Sequence, residues 1–174
     1  MSKVLRETPP ITEKDCFYIV ERHKSEFMYP IHSHQEYELN FVEHGRGVHR
    51  VVGDSIEEIG PYDLVLVTGN GLEHAWQQGN CTEPDVREIT IQFSSSLLDE
   101  KLLGRTQFYT IRKMFERARH GVAFSSRETW LVASLRKKRR KWTVFPSERS
   151  FAACSTACIC SWKPSDGQVT VTKV

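Results

Sequence analysis

Residues 29–45 read YPIHSHQEYELNFVEHG. The second half of this stretch, "YELNFV" (37–42), is short and rich in aromatic and β-branched residues, the composition of a half-buried strand. The first half sets His32, His34 and Glu38 at even spacing, so on an extended chain all three point to one side. Glu36 shares that parity. The stretch must therefore bend, or Glu36 must find its own partner, because an unpaired buried carboxylate is costly.

Further strands follow the same pattern. "CFYIV" (16–20), "VHRVV" (48–52), "DLVLV" (63–67) and "REITIQF" (87–93) are separated by the turn signals "EHGRG", "GDS", "GPYD" and "TGNG". In "REITIQF", Arg87, Ile89, Ile91 and Phe93 share one face, and Glu88, Thr90 and Gln92 share the other. Closely spaced strands without an intervening helix predict a mainly β fold, a sandwich or barrel, over residues 1–95.

After Phe93 the periodicity becomes helical. Helices are expected at 96–103 and 107–119, with Ile111, Met114, Phe115 and Ala118 as an i, i+3, i+4, i+7 stripe. Ser125 and Glu128 form a capping box ahead of a third helix over 126–139. The chain divides into a β domain at 1–95, a helical packing or dimerisation segment at 96–125, and an unassigned helix and tail at 126–174. The tail holds the cationic block "RKKRRK" (136–141), three of the five cysteines at Cys154, Cys158 and Cys160, and a strand-like end, "DGQVTVTKV". The cationic block reads as a solvated charge run, and C-x3-C-x-C lacks a fourth ligand for a soft metal.

A chain of 174 residues with a net charge of +2 has no strong electrostatic pull toward nucleic acid or membrane. "MSKVLRETPP" lacks the apolar run of a signal peptide, and the longest aliphatic run, "LVLV", is far short of a membrane span. With an odd number of cysteines and no disulfide framework, a reduced cytoplasmic protein is the expectation.

His74 follows "DLVLVTGNGLE", where Gly69 and Gly71 permit a tight turn. With His32, His34 and Glu38 it completes a three-histidine, one-carboxylate set of the kind that suits zinc, iron, manganese or nickel. The same four residues could instead form a polar pocket floor that binds an effector with no metal. Trp76, two residues on, either stacks on a sugar face or packs in the core. His23, His44 and His49, and Arg46 and Arg50, read as surface groups.

The motif H-x-H-x3-E-x6-G, formed by His32, His34, Glu38 and Gly45, resembles the first cupin motif. Gly71 and His74 match the second, with Gly69 where proline is usual and Gln78 in place of its asparagine. Residues 14–126, and "GPYDLVLVTGNGLEHAWQ" above all, are similar to the N-terminal effector-binding domain of AraC-type transcription regulators, with Tyr62 in place of the glycine before Asp63. The resemblance implies a cupin-like jelly-roll β-barrel followed by C-terminal α-helices. It also implies a small, carbohydrate-like effector in the barrel, and helices that pair two subunits as a homodimer. DNA contact in this family belongs to a helix-turn-helix domain, and residues 126–174 carry no such pair. The abrupt change near residue 126 suits a chain that leaves the family's reading frame there. A regulatory, non-enzymatic sensing domain is expected, against a cupin metalloenzyme such as an isomerase or dioxygenase.

Overall fold

The computed structural model describes residues 4–139 and 171–173, the side chains of 135–139 and 171–173 excepted. Eleven strands form two sheets in this part of the chain. The smaller sheet runs β1 (Leu5–Arg6), β3 (His32–Ser33), β8 (His74–Gln77), β5 (His49–Val52) and β6 (Ser55–Glu58). The larger runs β10 (Val122–Ala123), β7 (Tyr62–Val67), β4 (Tyr37–Glu43), β9 (Val86–Phe93), β2 (Tyr18–Lys24) and β11 (Val171–Lys173). Among the described strands, only β1 and β3 pair in parallel.

The sheets face one another. Val42, Val65, Val67 and Val86 of the larger sheet pack with Val52 and Trp76 of the smaller in one buried apolar cluster. The near-continuous apolar run of β7 has a cause on each face. Val65 and Val67 join that inner cluster, while Leu64 packs with Phe41 and with Ala133 of α3 (Ser126–Arg139) on the outside. Both clusters include residues of β4 and β7, adjacent strands of the larger sheet.

The barrel predicted from the strand pattern is not closed. Among the described residues no strand pairing joins the two sheets, and the outer strands β1 and β10 have two residues each. Closure needs long, tilted edge strands that can hydrogen-bond across the seam. Here the exposed β6 and these two-residue edges leave the sandwich open on two sides. One opening is a cavity of about 200 Å³ that reaches His32, Glu38 and Trp76. The other, about 490 Å³, lies between Arg50, Asp63 and the start of α3.

The helices depart from expectation in detail. The helix predicted at 96–103 is split by Asp99, which ends a 3-10 turn (Ser95–Leu98) and caps α1 (Glu100–Leu103) by accepting from the Leu102 amide at 2.9 Å. α2 spans Tyr109–Arg117, shorter than the 107–119 expected. Its stripe is covered at one end only: Ala118 is buried and the Phe115 ring lies 5.1 Å from Tyr37, whereas Ile111 is exposed. The Ser125–Glu128 capping box forms as predicted. No described helix is long and apolar enough to cross a membrane. The cysteine cluster at 154–160 and residues 140–141 of the cationic block lie outside the described residues.

Candidate metal centre and its cavity

His32 and His74 face each other across the β3–β8 pair, with ring centroids 4.2 Å apart. β3 then stops, and residues 34–36 bend the chain across the gap so that β4 begins in the other sheet. That bend resolves the parity problem: Glu36 stays half-buried and accepts from the Gln35 amide at 3.1 Å. His34 sits in the bend, held by the Gly71 amide, which donates to its carbonyl at 3.0 Å. Gly69 has φ +63, and a Cβ there would lie 2.2 Å from the Gln35 carbonyl oxygen, so only glycine lets the two loops meet. Proline could not adopt that φ.

The four predicted residues converge. His32, His34, Glu38 and His74 are 5, 1, 3 and 0% exposed, and one candidate ligand atom from each lies within 4.8 Å of all the others. Every imidazole is oriented by its own backbone. Nδ1 of His32 bonds the Pro30 carbonyl (3.0 Å), that of His34 the Glu36 carbonyl (2.9 Å), and that of His74 the Leu72 carbonyl (2.8 Å). A carbonyl can only accept, so each Nδ1 carries the hydrogen, and in the neutral ring each Nε2 presents a lone pair. His34 Nε2 lies 3.2 Å and His74 Nε2 3.9 Å from Glu38 Oε2. Gln92 Nε2 donates to the same oxygen at 2.9 Å, which fixes the carboxylate.

Charge follows from this packing. Burial disfavours a charged Glu38, but the contact with His34 and the nearby His74 ring overcome it and hold the carboxyl well below its usual range. Burial likewise opposes charge on His34, yet the Glu38 carboxylate raises its pKa. Burial, with the neighbouring His74, lowers His32 to about 4. His74 Nε2 is buried without any hydrogen-bond partner. An orphaned nitrogen beside a desolvated carboxylate is costly, and a cation between them would satisfy both. Three oriented imidazoles and one carboxylate therefore fit a divalent metal ion.

Sequence reading missed most of the cavity wall. The inner face of β9 supplies Glu88, Thr90 and Gln92, β4 adds Asn40, β2 adds Arg22 and Lys24, and Glu7 lies 3.4 Å from His32 Nε2. Their signal was the polar alternation of "REITIQF", which does not say which face points inward. Trp76 is both core and wall, packed among the valines and lining the cavity. His23, His44 and Arg46 are exposed and His49 half-buried. Arg50, expected at the surface, is buried instead. It donates to Asp63 at 2.5 Å and pairs with Glu57, because its strand parity turns it between the sheets. Gln78 ties two loops together, accepting from the Phe27 amide and donating to the Cys81 carbonyl, and stays out of the cluster. No family model, curated protein or solved structure matches this chain.

Proposed function

We propose that the chain is a small-molecule-binding domain built on a divalent-metal centre, and that it acts as the sensing module of an AraC-type regulator with a cupin-like jelly roll. The observation that carries the metal centre is the fixing of all three imidazoles by backbone carbonyls, with the Nε2 atoms of His34 and His74 beside the Glu38 carboxylate and ligand atoms of all four residues within 4.8 Å of one another. His32, His34, Glu38 and His74 would hold the ion. Bound there, zinc, iron, manganese or nickel would act as a Lewis acid toward an oxygen of the ligand. Gln92 orients Glu38, and Trp76 and Tyr29 close the apolar side of a cavity too small for anything beyond a few carbon atoms.

Support for sensing comes from β4. Glu38 reaches inward from this strand, while its neighbour Tyr37 packs outward on Phe115 of α2. A shift of Glu38 on ligand binding is thus one residue from the helix that would report it. Hydrogen exchange tests this: zinc followed by ligand should slow exchange in β4 and in α2. Protection confined to the histidine cluster would remove the support for sensing. The second reading, a metalloenzyme, rests on His32 and Glu38 both lining the cavity, which gives a ligand direct access to the metal-binding side chains. Metal-dependent turnover lost in both His34→Ala and Glu38→Ala would favour it.

A further inference from the structure

We infer that the cavity selects a small ligand bearing a carboxylate, and that Arg22, supported by Lys24, is the group that selects it. This rests on the reading of the cavity as a ligand site and names the chemistry of its occupant.

Arg22 and Lys24 share the inward parity of the buried Val20 on β2, and both line the cavity. Between them sits one buried carboxylate, Glu88. It accepts from Asn40 Nδ2 at 3.3 Å and pairs with Lys24 Nζ at 2.6 Å. Lys24 is the closer of the two cations paired with it. Arg22 stands 3.7 Å from Glu88, and its nearest bond is a long one of 3.4 Å to the Thr90 hydroxyl. A guanidinium carries five N–H donors in a planar fork, so most of this one is unengaged, on a side chain that is 38% exposed. Two cations around one carboxylate leave surplus positive charge at this part of the wall.

The other two carboxylates of the wall have partners of their own. Glu38 accepts from Gln92 with the His34 ring beside it, and Glu7 accepts from the Tyr29 hydroxyl. A neutral polyol would fill the cavity yet leave Arg22 with single, weak bonds. A carboxylate matches the fork with two parallel charge-assisted bonds, the arrangement arginine supplies better than lysine. At about 200 Å³ the cavity leaves room for only a few further carbons and their hydroxyl or oxo groups, which would face His32 and Glu38.

The test is calorimetric titration of the full chain with two matched pairs: propane-1,2-diol and lactate, glycerol and glycerate. Metal content is measured on the same sample. At least one acid should bind with millimolar or better affinity and about tenfold more tightly than its neutral partner. Arg22→Met should remove that advantage while metal content and melting temperature hold, and Arg22→Lys should keep part of it. Equal affinity for both members of each pair, an unaffected Arg22→Met variant, or no acid binding to metal-loaded protein would each overturn the inference. Arg22-dependent acid binding by protein that takes up no metal would instead overturn the metal centre and leave this inference standing.

Discussion

The two faces of β9 invert the usual arrangement of a sandwich strand. Its inner face carries Glu88, Thr90 and Gln92, all buried between the sheets. Its outer face carries Ile89 and Ile91, half-buried, with Ile91 in an apolar row beside Ile19 and Leu39. Stability alone would favour apolar groups inside, because each buried polar group must find partners or cost free energy. On the proposed reading the inner face serves the site and the outer face serves packing. That division can be attacked one residue at a time.

The largest expected effect comes from the bend that joins the two sheets. Gly69→Ala forces a left-handed backbone and a Cβ against the Gln35 carbonyl, and should cost at least about 3 kcal/mol in denaturant unfolding. His34 would lose its position along with it. A stable Gly69→Ala protein that keeps full metal affinity would mean that the bend does not build the site.

Acid comes next. In chelator-treated protein, His32 titrates near 4 rather than its ordinary 6.5. The unfolded chain binds that proton first, so stability falls as pH drops from about 6.5 toward 4, by up to about 3 kcal/mol. Glu38, held below its usual range, adds to the loss at lower pH still. His34, raised, works the other way: its contribution is present below its ordinary value and lost as pH rises through the folded one. Thermal melts at stepped pH should show an acid limb beginning near neutrality, and His32→Phe should shift that limb down. A flat profile over the same range would contradict the burial of a neutral His32.

Two smaller effects sharpen the contrast between the faces. Gln92→Leu should lower metal affinity about 10–100-fold, because Glu38 loses the donor that orients it. Its cost in stability should be only about 1 kcal/mol. Ile91→Ala, one residue away on the outer face, should lose a similar 1 kcal/mol or so and leave metal affinity unchanged. The reverse pattern would mean that the inner polar row is structural.

Much of this was legible in the sequence. The strands β2, β4, β5, β7 and β9, α3 with its capping box, and the convergence of His32, His34, Glu38 and His74 all follow from local periodicity and motif spacing. The open edges were not, since whether two sheets join depends on pairing between strands distant in sequence. Alternation in "REITIQF" fixed which residues share a face but not which face turns inward, so Glu88 and Thr90 went unread as cavity wall. Arg50 was misplaced because a buried arginine is rare unless paired, and its partners Asp63 and Glu57 lie on other strands. The break at Asp99 went unseen because a residue that caps a helix also fits inside a polar helical face.

Three backbone-oriented histidines and Glu38 are proposed to hold one divalent ion. The direct measurement is metal quantification of protein purified without chelators or metal-affinity resin, followed by equilibrium titration with zinc, ferrous iron, manganese and nickel. The protein should hold about one equivalent of one of these ions, bound at micromolar or better affinity and lost in both Glu38→Ala and His74→Ala. Protein that takes up none of the four, or that binds one equally well without Glu38 and His74, would contradict it.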